Sequence, residues 1–318
     1  QMPRGMFSTM IESRLNYVMC PGAARAVPGG EDGVTQHRVG YWEWNQTGQV
    51  DHPHVIVCVH GLTRQGRDFD VLAQALSHHA RVICPDIAGR GQSDWLADPM
   101  AYGVPQYAFD MLVLLTQVHA QYPIAQLDWV GTSMGGLIGM AVAGTPDLAL
   151  PVPIRRLLLN DVGPRLEWSA LQRIGMYVGH SPRFASVEAG AAWLRVQSAD
   201  FGPHTDAQWL ALSEPMLRPG PEGGFVLHYD PKIAVPMQGM TQEQVVQGEA
   251  LLWNLYDAIT AQTLVLRGAK SDLLTAQTVQ EMAQRGPKAH SVTLEGVGHA
   301  PTLVQPEQVA LVKEFLFR

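Results

Sequence analysis

Residues 127–144 read LDWVGTSMGGLIGMAVAG, so a short apolar run passes without a linker through a glycine-bracketed serine into a second apolar run. Leu127 to Val130 has the length and residue types of a strand. The residues after Gly136 have helical character to about Ala143, and the run is closed by Gly144 and Pro146. The same alternation of short β-branched runs with longer helical patterns extends from about Val34 to the C-terminus. It predicts βαβ units and a mostly parallel sheet.

Around this corner the other elements fall into place. His37 to Trp44 alternates and opens the sheet, and His54 to Val59 (HVIVCV) is continuously apolar, as in a strand buried on both faces. Gly61 to Gly66 is a loop, Phe69 to Leu76 has helical spacing, Arg81 to Cys84 is the next strand, and Pro85 to Asp94 carries the glycines of a turn. A helix from about Pro105 to Gln121 has proline near its first turn. After the strand Arg156 to Asn160 the pattern changes, and from Pro164 to about Gly248 no strong strand run occurs. Alternation resumes with Thr263 to Leu266, a helix at Ala276 to Gln284, the strand Ser291 to Leu294 and a last helix at about Glu307 to Phe317. The expected organisation is one sheet domain, residues 1–163 and 249–318, interrupted by a helical lid at 164–248.

Composition supports a large interior. Only 16% of residues are charged and 46% are hydrophobic, and the formal net charge of −7 argues against nucleic acid as a partner. Cys20, Cys58 and Cys84 are odd in number, and the last two lie in apolar runs, so they read as buried thiols rather than a disulfide framework. No run approaches the roughly 18 apolar residues of a membrane span, so no membrane association is expected. The first thirty residues lack the apolar core of a secretory signal, which makes cytoplasm the expected location and leaves open a leader removed before Gln1.

Chemistry concentrates at Gly131-Thr132-Ser133-Met134-Gly135. A nucleophile at a strand-to-helix corner needs a tight turn, which residues without bulk permit, and the helix that starts there aims free N–H groups at developing charge. A serine hydroxyl needs a general base and a third group to orient that base. His299, in GVGHAP just past the strand SVTL, is the expected base. Two aspartates follow strands. Asp272, after TLVL and one helix and one strand before His299, is the favoured acid; Asp161, after RLLLN, is the alternative, or it braces the lid entry. Backbone N–H groups of Leu62 and Met134 are positioned to hold an oxyanion. His60 reads as a loop histidine that shapes the turn.

These motifs together, HG after one strand, PDxxGxGxSD (Pro85, Asp86, Gly89, Gly91, Ser93, Asp94), G-x-S-x-G, an acid and GxGHxP, resemble the serine-dependent α/β-hydrolase fold family over nearly all of the chain outside the lid. The order Ser133, Asp272, His299 is the one that family uses. The resemblance implies an α/β-hydrolase fold: an eight-stranded, mostly parallel sheet, helices on both faces, a cap after the sixth strand, no metal and no organic cofactor. Dehalogenases and epoxide hydrolases of this fold carry aspartate where this chain has Ser133, which disfavours both chemistries. Within the family the chain is similar to bacterial capped carboxylesterases and meta-cleavage-product hydrolases.

Arg64 or Arg67 could meet a substrate carboxylate, or could pair with Asp68 or Asp70 instead. Among the lid residues Trp168, Met176, Tyr177, Trp193, Trp209 and Met216, some are expected over Ser133 and most in the lid's own core. Met176, Trp193 and Trp209, with Arg64, are the residues expected to form the substrate pocket. His119, His180, His204 and His228 lack metal-site spacing, and there is no Walker loop or dinucleotide fingerprint, so no cofactor is expected. The leading expectation is hydrolysis of a small to medium apolar carboxylic ester, a small-molecule substrate, through an acyl-enzyme. C–C hydrolysis of a dienoate and a hydrolase-like receptor are the alternatives, and oligomeric state is left open.

Overall fold

The computed structural model describes residues 13–22 and 35–318. In chain order they form β1 (Arg14–Pro21), β2 (Gln36–Trp44), β3 (His54–Val59), α1 (Asp70–Leu76), β4 (Arg81–Pro85), α2 (Val104–Gln121), β5 (Gln126–Thr132), α3 (Met134–Gly144) and β6 (Ile154–Asn160). The chain then leaves the sheet through α4 (Trp168–Gly175), α5 (Val187–Gln197), α6 (Asp206–Ser213), β7 (Leu217–Pro219), β8 (Phe225–Leu227) and α7 (Gln242–Asp257). It returns as β9 (Gln262–Gly268), α8 (Ala276–Met282), β10 (His290–Leu294) and α9 (Pro306–Leu316).

Eight strands make one sheet in the order β1-β2-β4-β3-β5-β6-β9-β10, antiparallel from β1 through β4 and parallel elsewhere. All six residues of β3 are buried, as its continuous apolar run requires. Val55, Val57 and Val59 enter the core shared with α2, α3 and α7, whereas Ile56 and Cys58 enter a second core under α1 and α9. The strand therefore has no solvent face, and the sheet is covered on both sides. The three cysteines are free and buried. No helix among the described residues is long and apolar enough to cross a membrane.

Three elements differ from the sequence expectations. The sheet opens one strand earlier, at β1, whose mixture of exposed and buried positions suits an edge strand and gives no clean apolar period. The hairpin β7–β8 lies in a region expected to be helical, its strands too short at three residues each to leave a pattern. Helix α7 starts at Gln242, inside the span expected for the lid, with a Thr241–Gln244 capping box at its head. Its early turns are exposed, and Trp253 and Tyr256 near its end carry it into the main core.

Candidate active site

The turn after β5 is governed by steric exclusion. A Cβ on Gly131 would lie 2.3 Å from the Gly135 carbonyl oxygen, and one on Gly135 would lie 2.0 Å from that of Val59. Only glycine lets α3 begin this close to β3. Ser133 between them has φ 51°, a strained value for a residue with a side chain, and Met134 begins α3. The first N–H groups of a helix have no intrahelical acceptor, which leaves that of Met134, adjacent to the serine, available as a donor.

Ser133 Oγ lies 2.9 Å from His299 Nε2, and His299 Nδ1 lies 2.6 Å from Asp161 Oδ2. With its Nδ1–H directed to a carboxylate, the neutral imidazole presents Nε2 as an acceptor for the serine proton. Asp161 follows β6 directly and is fully buried. Its carboxylate also accepts from Gly268 N–H at 2.8 Å and Ser271 Oγ at 2.6 Å, which fixes both oxygens.

The expectation of Asp272 at the histidine is corrected by this geometry. Asp272 turns outward and forms a two-pronged ion pair with Arg173 of α4, at 2.6 and 2.9 Å. The loop after β9 folds back tightly, Ser271 N–H donating to Gly268 O at 2.9 Å. Ser271 thereby faces the sheet and its neighbour faces away. Hydrogen bonding to the Arg173 guanidinium holds the Asp272 carboxyl below its usual range. The signal for Asp161 was in the sequence, a polar Asn-Asp pair at the end of an apolar strand. Asn160 Nδ2 donates to Thr132 Oγ1 at 3.0 Å and to Pro301 O at 2.8 Å, tying the segments on either side of the site together.

On the other wall, Arg90 is fully buried, and sequence reasoning passed over it. Its Nε donates to Leu62 O at 2.8 Å, its Nη1 to Ala88 O and Tyr107 OH, and its Nη2 lies 3.6 Å from Met134 Sδ. One guanidinium thus braces both Leu62 and Met134. His60 is structural here. Ile87 N–H donates to its Nε2 at 3.0 Å, which leaves Nδ1 as the protonated nitrogen donating to Gly61 O at 2.7 Å. Burial, helped by the charges of Arg90 and Arg64, pushes this imidazole down to about 3.

A cavity of about 110 Å³ opens over Ser133 and His299. Arg64, Leu62, Tyr177, Trp193 and Met216 line it, as do Arg173 and Asp200, which sequence reasoning did not single out. Met176 and Trp209 do not line it. On α4 and the turn beyond it, Arg173, Ile174 and Tyr177 face the cavity, so Met176 points elsewhere and is 77% exposed. Trp209 is buried behind Phe201 and His204, with ring centroids at 6.4 and 4.7 Å. Arg67 is taken up outside the cavity by Asp70 and the Trp42 ring.

Distant from this site, Cys20, His37 and Asp110 place ligand-type atoms within 4.8 Å of one another. The Asp110 oxygens are already engaged by His37 at 2.7 Å and Gln106 at 2.8 Å, so the group reads as a braced buried pair.

The profile of the alpha/beta hydrolase family matches residues 56–311. The chain is 48% identical over 305 residues to the 3-hydroxybutyrate-oligomer hydrolase of Cupriavidus necator, covering 95% of this chain and 97% of that protein. It is 24% identical to the pimeloyl-[acyl-carrier protein] methyl ester esterase of Xanthomonas campestris pv. campestris, covering 82% and 94%. Among solved structures, an alpha/beta hydrolase from Novosphingobium aromaticivorans superposes with a TM-score of 0.78 at 37% identity, covering 96% and 99%.

Proposed function

Because the chain belongs to the alpha/beta hydrolase family, we propose that it hydrolyses carboxylic esters with Ser133 as nucleophile, His299 as general base and Asp161 as the orienting acid. The observation that carries this reading is the unbroken Ser133–His299–Asp161 hydrogen-bond chain, 2.9 and 2.6 Å, at the floor of a cavity. Ser133 attacks the ester carbonyl while His299 Nε2 takes its proton, and Asp161 balances the imidazolium. The N–H groups of Leu62 and Met134 hold the oxyanion, with Arg90 fixing both residues. His299 then protonates the leaving alkoxide, and in the second half it activates water to release the acid from Ser133.

Ester bonds are favoured over C–C bonds and over a receptor role because the two named relatives bear the names of hydrolases of ester-linked substrates. The similarity to the Cupriavidus necator protein supports short oligomers of 3-hydroxybutyrate, or closely related hydroxyacid esters, as substrates. A small cavity with charged groups in its wall suits such compact polar esters better than long apolar ones. In this reading residues 164–248 act as the cap over the site.

The test is Ser133→Ala. Turnover of 4-nitrophenyl butyrate and of the 3-hydroxybutyrate dimer should fall by about 10⁴-fold or more, with thermal unfolding little changed. Activity retained in that variant overturns the assignment.

A further inference from the structure

The cavity wall holds two guanidiniums that the hydrolytic mechanism does not use. Arg64 comes from the loop after β3 and lines the same cavity as the nucleophile. A Cβ built on Gly61 would lie 3.8 Å from Ser133 Cβ and 3.9 Å from Arg64 Cγ. Its side chain is 11% exposed, and its head is fixed from behind. Nε and Nη2 donate to the two Asp68 oxygens at 2.8 Å each, and Nη2 also donates to Leu212 O at 2.9 Å. Phe201 covers one face, with Cζ 5.5 Å from the ring centroid. Among the described residues Nη1 has no hydrogen-bond acceptor.

Arg173 faces the same cavity from α4. Asp272 holds its Nε and Nη2, Asp200 Oδ2 lies 3.8 Å from Nη1, beyond hydrogen-bond range, and the Tyr177 hydroxyl also approaches the guanidinium. Tyr177, one turn on, stands in the field of both cations. Burial pushes its phenol up, and Arg173 and Arg64 pull it back. Each arginine thus has a carboxylate locking its fork on one edge; Arg64 Nη1 has no acceptor among the described residues, and the remaining edge of Arg173 meets only the neutral Tyr177 hydroxyl and the more distant Asp200 in the cavity wall. A cation as buried as Arg64 is costly to desolvate unless another acceptor completes it. A planar guanidinium edge selects carboxylate geometry.

We propose that Arg64 and Arg173, with the Tyr177 hydroxyl, form a subsite for the free carboxylate of a hydroxyacid ester, next to the bond that Ser133 cleaves. The inference rests on the ester-hydrolase reading and adds the end of the substrate that is recognised. In a 3-hydroxybutyrate dimer only two carbons separate the terminal carboxylate from the ester oxygen, so one dimer is short enough to engage this subsite and Ser133 within the same cavity. The leaving alkoxide takes its proton from His299 and departs as 3-hydroxybutyrate. Oligomers would then be shortened one unit at a time from the carboxylate end. Asp200, half exposed beside Arg173, opposes the entering anion and sets how strongly it is held.

The experiment compares kcat/KM for the internal ester of the 3-hydroxybutyrate dimer as the free acid and as its neutral terminal amide, by chromatographic detection of the released monomer. The native protein should prefer the acid by about tenfold or more, the effect of charge-assisted hydrogen bonds, mostly through KM. Arg64→Gln and Arg173→Gln should each bring that ratio toward one, and Asp200→Asn should raise it. Arg173 is one-third exposed, so Arg173→Gln keeps the test sound if Arg64→Gln fails to fold. Cleavage of acid and amide at equal rates by the native protein, or a ratio unmoved by Arg173→Gln, overturns the subsite and leaves the ester-hydrolase reading standing. A native protein inert on both dimers and on 4-nitrophenyl butyrate overturns both.

Discussion

Two neighbouring residues, Ser271 and Asp272, show how a site is decided one side chain at a time. Ser271 faces the sheet and hydrogen-bonds Asp161, while Asp272 faces the inserted segment and Arg173. Asp161→Asn should therefore lower kcat on 4-nitrophenyl butyrate by about 10³–10⁴-fold, because an amide cannot hold the imidazole in the required tautomer. Asp272→Asn should cost no more than severalfold, and equal losses from the two variants would contradict the assignment. His60 gives a second residue-scale expectation. Its folded value of about 3 lies below that of the unfolded chain, so its contribution to stability is present above pH ~6.5 and is lost as pH falls toward 3. Asp86 works in the opposite sense. Burial raises it to about 6, so between about pH 6 and 3.8 the folded state takes the proton first and gains stability as pH falls. In the native protein the two offset each other across that window. His60→Gln removes one side only, so the gap between native and variant melting temperatures should narrow as pH is lowered from 7 to 4. A gap independent of pH would count against the buried neutral His60.

At the scale of elements, the corner between β5 and α3 couples packing to chemistry. The helix N-terminus can flank Ser133 only because Gly131 and Gly135 allow main chain to meet main chain. Gly135→Ala forces a methyl group against the Val59 carbonyl, and neither backbone can yield without moving β3 or α3. The variant should lose about 1–3 kcal/mol in denaturant titrations, and its surviving folded fraction should show a lowered kcat rather than a raised KM. A change confined to KM would mean that the corner does not set the nucleophile. The inserted segment is clamped at the same end of the sheet, with Asp200 O accepting from Gly298 N–H at 2.7 Å and His204 Nε2 lying 2.6 Å from Thr302 Oγ1. These bonds anchor the loop that carries His299.

Over the whole molecule, the proposed catalytic groups and a buried ionic cluster lie at opposite ends of the parallel strands. Ser133, His299 and Asp161 stand at the C-terminal ends of the parallel strands, whereas Asp128 lies near the start of β5, roughly 16 Å away at strand rise. Asp128 is fully buried and gathers His54 Nε2 at 2.6 Å and Arg155 Nη2 at 2.7 Å, joining β3, β5 and β6. Burial works against its charge, yet these hydrogen bonds hold its carboxyl below the usual range. Asp128→Ala leaves the buried His54 and the partly exposed Arg155 without their carboxylate and should destabilise the fold by about 3 kcal/mol. In native buffer kcat should stay within about twofold of the native protein. A large loss of kcat without a loss of stability would contradict this division.

What the sequence determined by itself was whatever depends on local pattern. Continuous apolar runs such as HVIVCV marked strands buried on both faces, and the glycines around Ser133 marked a turn with one solution. Ser133 and His299 were legible because each sits in a tight, glycine-containing segment at a strand end. Tertiary structure decided what depends on direction. Two aspartates both followed strands, and only the back-folding of the loop after β9 turned Asp272 outward and left Asp161 to meet His299. The inward face of α4 and the turn after it likewise selected Arg173 and Tyr177 for the cavity and excluded Met176. Residue type and spacing record that a strand ends in an acid; which way that acid points is settled by contacts between segments far apart in the chain.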